Sequence, residues 1–174
     1  FTTLEDLPSL SQGEVVAIER GSAFRDDIVA GGTSNIEVIA YGDGPLPKID
    51  CTKVLPDADW SLASSQSNTY RQAQADPNVS PSTNRVFEDD SELIQQGSVS
   101  DVEANPGSYY VDTSSDPFVI YVHPNGSTDP SNDGKLYEWT ARSGLNLASA
   151  GIDQPDGQTA RDMFVSRPLH TDGG

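Results

Sequence analysis

The chain has 174 residues, with 27 Asp plus Glu against 10 Lys plus Arg and a formal charge of −17. That length suits one domain with a core, or one domain carrying a large insertion, better than two full domains. The charge repels a phosphate backbone, so nucleic acid is not an expected partner.

Cys51 is the single cysteine, which rules out an intrachain disulfide and reads as a small buried filler. No apolar stretch approaches the roughly 20 residues that cross a bilayer, so membrane insertion is not expected. The amino end, "FTTLEDLPSL", has neither a start methionine nor a basic-then-apolar leader. The chain is therefore expected to be processed, or to be the ordered piece of something longer. Leu4 and Leu7, three apart, make this segment one of two weak helix candidates.

"VVAI" from Val15 and "IEVIA" from Ile36 are β-branched runs separated by Gly, Ser, Asn and Asp turn chemistry. The step between them is of the length at which solenoid repeats are sought, although two steps do not establish a repeat. The stretch "GGTSNIEVIAYGDGPLPKID", residues 31–50, holds a strand, a sharp Gly-Asp-Gly corner and a stub too short to be a hairpin mate. Alternation places Ile36, Val38 and Ala40 on an inner face and Glu37, Ile39 and Tyr41 on the outer one.

Residues 61–85 are polar and read as loop or irregular strand. Residues 86–140 recover strong strand signals. "SYYVDTSSDPFVIYVHPNGS" is a hairpin with a longer loop, in which Phe118, Ile120 and Val122 share one face and Val119, Tyr121 and His123 the other. "KLYEWTARSGLNLASAGI" alternates again, and "DGQTARDMFV" is the second helix candidate. With helix signals so sparse, the expectation is an all-β protein.

Several residues carry possible chemistry. Arg20 and Arg25 flank a corner and suit a bidentate clamp on a sugar carboxylate, against the plainer reading of ion pairs with Glu19, Asp26 or Asp27. Asp129, Ser131 and Asp133 alternate before Gly134 as in the first half of a calcium loop. Thr140 at the twelfth position cannot supply the bidentate carboxylate, so an ordinary turn competes and no cofactor other than calcium is suggested. "EDDSE", residues 88–92, crowds carboxylates of the kind glycoside hydrolysis uses, but reads better as a solvated turn. His123 and His170 lack a nucleophile partner at any motif spacing. Among the aromatics, Trp60 and Trp139 are expected in the core, and Tyr109 and Tyr121 are the candidate carbohydrate ligands.

The segment "LSQGEVVAIERGSAFRDDIVAGGTSNIEVIAYGDGPLPKID" resembles the first coils of right-handed parallel β-helix proteins of the pectate-lyase-like superfamily. The resemblance lies in Leu7, Leu10, Gly13, Val15, Ile18, the Arg20-Gly21-Ser22 run, Phe24, Arg25, Ile36, Ile39, Tyr41, Gly42, Gly44, Pro47 and Ile49, with Glu14 where Asp is commoner. "PGSYYVD" and "YVHPNG" are similar to an antiparallel insertion found in some of these proteins. The implied organisation is a cap and first coils over 1–55, an inserted antiparallel unit over 56–142, and re-entry into truncated coils over 143–174.

That superfamily includes phage tailspikes and polysaccharide-degrading enzymes. The resemblance implies a tailspike or fibre-like virion protein, virion-borne or extracellular, that recognises host surface polysaccharide. It implies a homotrimer and other virion subunits as partners. The alternatives are the amino-terminal part of a secreted polysaccharide lyase or hydrolase, with catalysis on later coils, and a non-catalytic structural adapter of a virion. Because "RPLHTDGG" offers no cap, the edge of the last coil is expected to be covered by further coils or by another subunit.

Overall fold

A computed structural model describes residues 13–25, 28–29, 37–50, 52–74, 85–140, 145–146, 159–160 and 164–166. The "TTLEDLPSL" helix candidate, Ile36, Cys51 and His170 lie outside them. In chain order the first strands are β1 (Val15–Glu19), β2 (Ala23–Phe24), β3 (Ile28–Val29), β4 (Glu37–Tyr41), β5 (Lys48–Asp50) and β6 (Thr52–Val54). Next come β7 (Ser61–Leu62), β8 (Tyr70–Gln74), β9 (Val86–Glu88), β10 (Ser91–Glu92) and β11 (Ile94–Gln95). Helix α1 (Val99–Ala104) precedes β12 (Ser108–Asp112), β13 (Phe118–His123) and β14 (Tyr137–Thr140). The last strands are β15 (Leu145–Asn146), β16 (Thr159–Ala160) and β17 (Phe164–Ser166). The described residues are thus all-β apart from α1 and one 3-10 turn at Asp57–Asp59. The chain divides into two compact units, residues 1–52 with 141–169, and residues 53–140 with 170–174.

Among the described residues, every strand pairing within the first unit is parallel. β4 lies between β1 and β16, β5 lies between β2 and β17, and β3 pairs with β15. The registers carry no offset between like positions, Val16 opposite Val38 and Ala23 opposite Lys48. Alternation decides the core: Val16, Ile18, Val38 and Ile49 are buried, and Val38 and Ile49 are fully so. Tyr41 is exposed, as its position in β4 predicts. The chain turns between β1 and β2 through Gly21 at φ 86°, where Gly21 N–H donates to Pro45 O and Arg20 N–H to Tyr41 O.

The carboxyl-terminal helix candidate is corrected: Thr159–Ala160 and Phe164–Ser166 are parallel strands. Their pairing to β4 and β5 is long-range, and it outweighs the local helical pattern of "DGQTARDMFV".

The second unit has two sheets, in the orders β10-β9-β14-β6 and β11-β12-β13-β8-β7. Phe118 meets Trp139 edge-on at 5.3 Å between centroids, and Trp60 meets Tyr137 at 5.6 Å. These contacts join the inner faces of the two sheets, with Val86, Val111, Ile120 and Val122 buried beside them. Asp89 and Asp90 turn β9 into β10 with φ of 47° and 65°, the left-handed pair that a two-residue hairpin turn requires. β12 and β13 form the expected hairpin, Tyr110 opposite Tyr121. β8 is more regular than its polar sequence suggests, because β13 and β7 flank it on both sides.

Candidate functional site

Strands β12, β13, β8 and β7 set one row of side chains in register across the sheet: Tyr110 opposite Tyr121, Tyr121 opposite Arg71, and Arg71 opposite Ser61. Partners directly opposite in an antiparallel sheet share a face. The face is the outer one, because Tyr109, Val111, Ile120 and Val122 fill the inner face. Tyr110 and Tyr121 are half-buried and stacked, with centroids 6.2 Å apart and planes at 28°, while Arg71 and Ser61 are exposed. One row further along the same face lie Asp112, Val119 and Ala73.

Helix α1 closes the other end of this face. It starts at Ser98, whose hydroxyl oxygen accepts from Asp101 N–H and whose proton goes to the Asp101 carboxylate. Val102 is buried under the helix, and Glu103 grips the loop before β8 by accepting from Ser67 N–H, Asn68 N–H and the Thr69 hydroxyl. Burial raises the Glu103 pKa, but these hydrogen bonds outweigh it and hold the carboxyl below its ordinary value. His123, 3% exposed, has Nδ1 3.0 Å from Val102 O and Nε2 2.9 Å from Ser127 Oγ. A carbonyl only accepts, so Nδ1 carries a proton and the ring pins α1 to β13.

The aromatic expectation is corrected at one position. Tyr109 is 2% exposed, and burial pushes its phenol up to about 12. A ring with no open face cannot stack a sugar. Tyr121 does lie on the outer face, and its companion there is Tyr110. The phase of β12 decides the swap, and that phase is set by the register that places Tyr110 opposite Tyr121.

"EDDSE" is more ordered than a solvated turn. Glu88, 4% exposed, accepts from Lys135 Nζ, Asn125 N–H and Asn125 Nδ2. Its carboxylate ties the 124–136 loop to β9. Asp89 accepts from Leu136 N–H, and Glu92 pairs with Arg85 at 3.1 Å.

The oxygens of the calcium candidates serve their own loop. Asp129 accepts from Ser131 N–H and hydroxyl, and Asp133 from Lys135 N–H, Thr128 Oγ1 and the Tyr137 hydroxyl. Among the described residues no group of three or more His, Cys, Asp or Glu is placed to hold a metal ion.

In the first unit Arg25 lines a shallow cleft of about 270 Å³ with Ala23, Phe24, Lys48 and Asp50. Asp50 is buried, accepts from Thr52 N–H and hydroxyl, and pairs with Lys48 at 3.2 Å. Arg20 stands at the β1–β2 corner and is not part of this lining.

No family model matches the chain, and no curated protein matches it. A solved structure described as "The complex structure of XylC with xylose" superposes with a TM-score of 0.62 at 14% identity, over 87% of this chain and 30% of that one. The chain thus spans under a third of that structure's length and shares the fold of the matching part.

Proposed function

We propose that this chain is the leading part of a right-handed parallel β-helix with an inserted antiparallel sandwich, and that the insertion recognises polysaccharide through the Tyr110–Tyr121 face. The coil reading rests on the order in which the chain visits its parallel sheets. It runs β1, β2, β3, then β4, β5 and, after the insertion, β15, then β16 and β17, each strand parallel to its counterpart one coil earlier. The setting we propose is a tailspike or fibre-like virion protein, trimeric and exposed to host surface glycans.

The observation that carries carbohydrate recognition is the stacked, half-exposed tyrosine pair on a sheet face that also carries Arg71, Ser61 and Asp112. Two rings held by a cross-strand register present apolar surface to a sugar without ordering any loop, so little entropy is lost on binding. The XylC structure, solved with xylose, supports the same ligand class by fold likeness alone.

Binding of the chain to a panel of neutral and acidic glycans tests the reading. Tyr110→Ala and Tyr121→Ala are each expected to weaken binding about tenfold, or 1.4 kcal/mol, with unchanged melting. Undiminished binding in the double variant removes the site. A second reading is the amino-terminal part of a polysaccharide-acting enzyme whose catalytic groups lie outside these residues. In that case the longer polypeptide releases reducing ends or unsaturated uronates from the glycan it binds.

A further inference from the structure

We infer that the tyrosine row reads an acidic saccharide, with Arg71 holding a uronate carboxylate beside the stacked rings; this rests on the carbohydrate-binding reading above. Arg71 faces Tyr121 in register and is exposed. Seven Lys and Arg residues fall among the described residues, and six of them engage other groups. Lys48 pairs with Asp50, Arg85 with Glu92 and Lys135 with Glu88, while Arg20, Arg25 and Lys53 also have partners. Among the seven described Lys and Arg residues, Arg71 alone has no ion pair or side-chain hydrogen bond with another described residue. In a chain with 27 acidic residues to 10 basic ones, that is the side chain for which an internal partner would be easiest to find.

The geometry suits one ligand class. Adjacent strands lie about 4.8 Å apart, so the row from Tyr110 through Tyr121 to Arg71 spans roughly 10 Å, comparable to two linked pyranose rings. Pyranose faces stack on the two phenols, and a carboxylate at the next position meets a planar fork that accepts it bidentately. Ser61, the next residue in the row, adds a hydroxyl beyond the guanidinium.

The charge distribution on this face sets the direction of the chain of sugars. Asp112 shares the face at the β12 end, and hydrogen bonds from the Ser114 hydroxyl and amide hold its carboxyl below the usual range, so it stays ionised. It repels an acid placed over Tyr110 and leaves the β8 end, two strands away, for the uronate. The net charge of −17 opposes any polyanion at long range. At physiological salt, however, the screening length is about 8 Å, and the contact is decided by the local row.

Titration calorimetry of the chain at 0.15 M salt, with oligogalacturonate and its carboxyl-reduced counterpart, tests this. The chain is expected to bind the acid form at least about tenfold more tightly. Arg71→Ala should erase that preference while keeping affinity for the reduced form, and Arg71→Lys should restore only part of it. Tyr121→Ala should weaken both ligands alike. If both forms bind equally, or if the preference survives Arg71→Ala, the acid inference falls and the carbohydrate reading stands. If neutral glycans of the wider panel bind and the uronate does not, the same holds. No binding across the whole panel removes both.

Discussion

The two units of this chain bury their cores by different means. In the first, parallel strands stack like positions in register, and a few inward aliphatics (Val16, Ile18, Val38 and Ile49) are enough. In the second, mostly antiparallel sheets face each other across Trp60, Tyr109, Phe118, Tyr137 and Trp139, with a buried carboxylate at Glu88 and, under α1 on the outer face, the buried His123. A repeated coil can be uniform inside because each strand meets a copy of itself. A sandwich must fit unlike surfaces, so it needs large rings and polar anchors, and it is there that leftover aromatics reach the outer face.

The sharpest way to separate the units is Val38→Asp. An unpaired carboxylate at a fully buried position costs an amount comparable to the whole stability of a domain, about 5 to 15 kcal/mol. Both tryptophans belong to the second unit. We expect far-UV circular dichroism to lose the first unit's contribution while the tryptophan emission melt persists. Loss of both signals at one midpoint would show that the units fold as a single cooperative body.

The converse variant is Glu88→Ala, which strips a buried carboxylate from Lys135 and Asn125. Removing one partner of such a group costs about 3 kcal/mol, and the tryptophan melt should fall while the first unit is spared. A fall of less than about 0.5 kcal/mol would mean that the 124–136 loop holds its place without this anchor.

The smallest expected effect is a pH dependence confined to the second unit. Glu103 has its folded pKa lowered, so its contribution is complete above the unfolded glutamate pKa and disappears as pH falls through the folded value. Glu103→Gln should flatten the acid limb of the tryptophan melt, moving its midpoint by about a few tenths of a pH unit. An unchanged acid limb would assign the dependence to other carboxylates, Asp112 first among them.

Part of this was legible along the chain and part was not. The hairpin from Ser108 to His123 was readable because two alternating runs flank a polar link, and the structure pairs them as expected. The burial of Val38 followed from alternation in a β-branched run. Helix α1 was missed, although Ser98 with Asp101 three residues on is a capping signal; a six-residue helix carries too little periodicity to stand out. The candidate site was half legible: Tyr121 was singled out, whereas Tyr110 and Arg71 were not. Two adjacent tyrosines point to opposite faces, and which one is outside depends on what covers each face of β12.

Composition and local pattern establish that the chain is built of strands, that its single cysteine has no intrachain disulfide partner among these residues, that it carries strong negative charge, and that its aromatics cluster between Trp60 and Trp139. Those properties depend on composition and on neighbours within a few residues. Tertiary structure alone decided that β4 pairs with both β1 and β16, that Tyr110 rather than Tyr109 meets Tyr121, and that Arg71 stands beside them. Each of these is a register between segments far apart in the chain. A shift of one residue there inverts every face, and only the complementary packing of the assembled sheets selects between the alternatives.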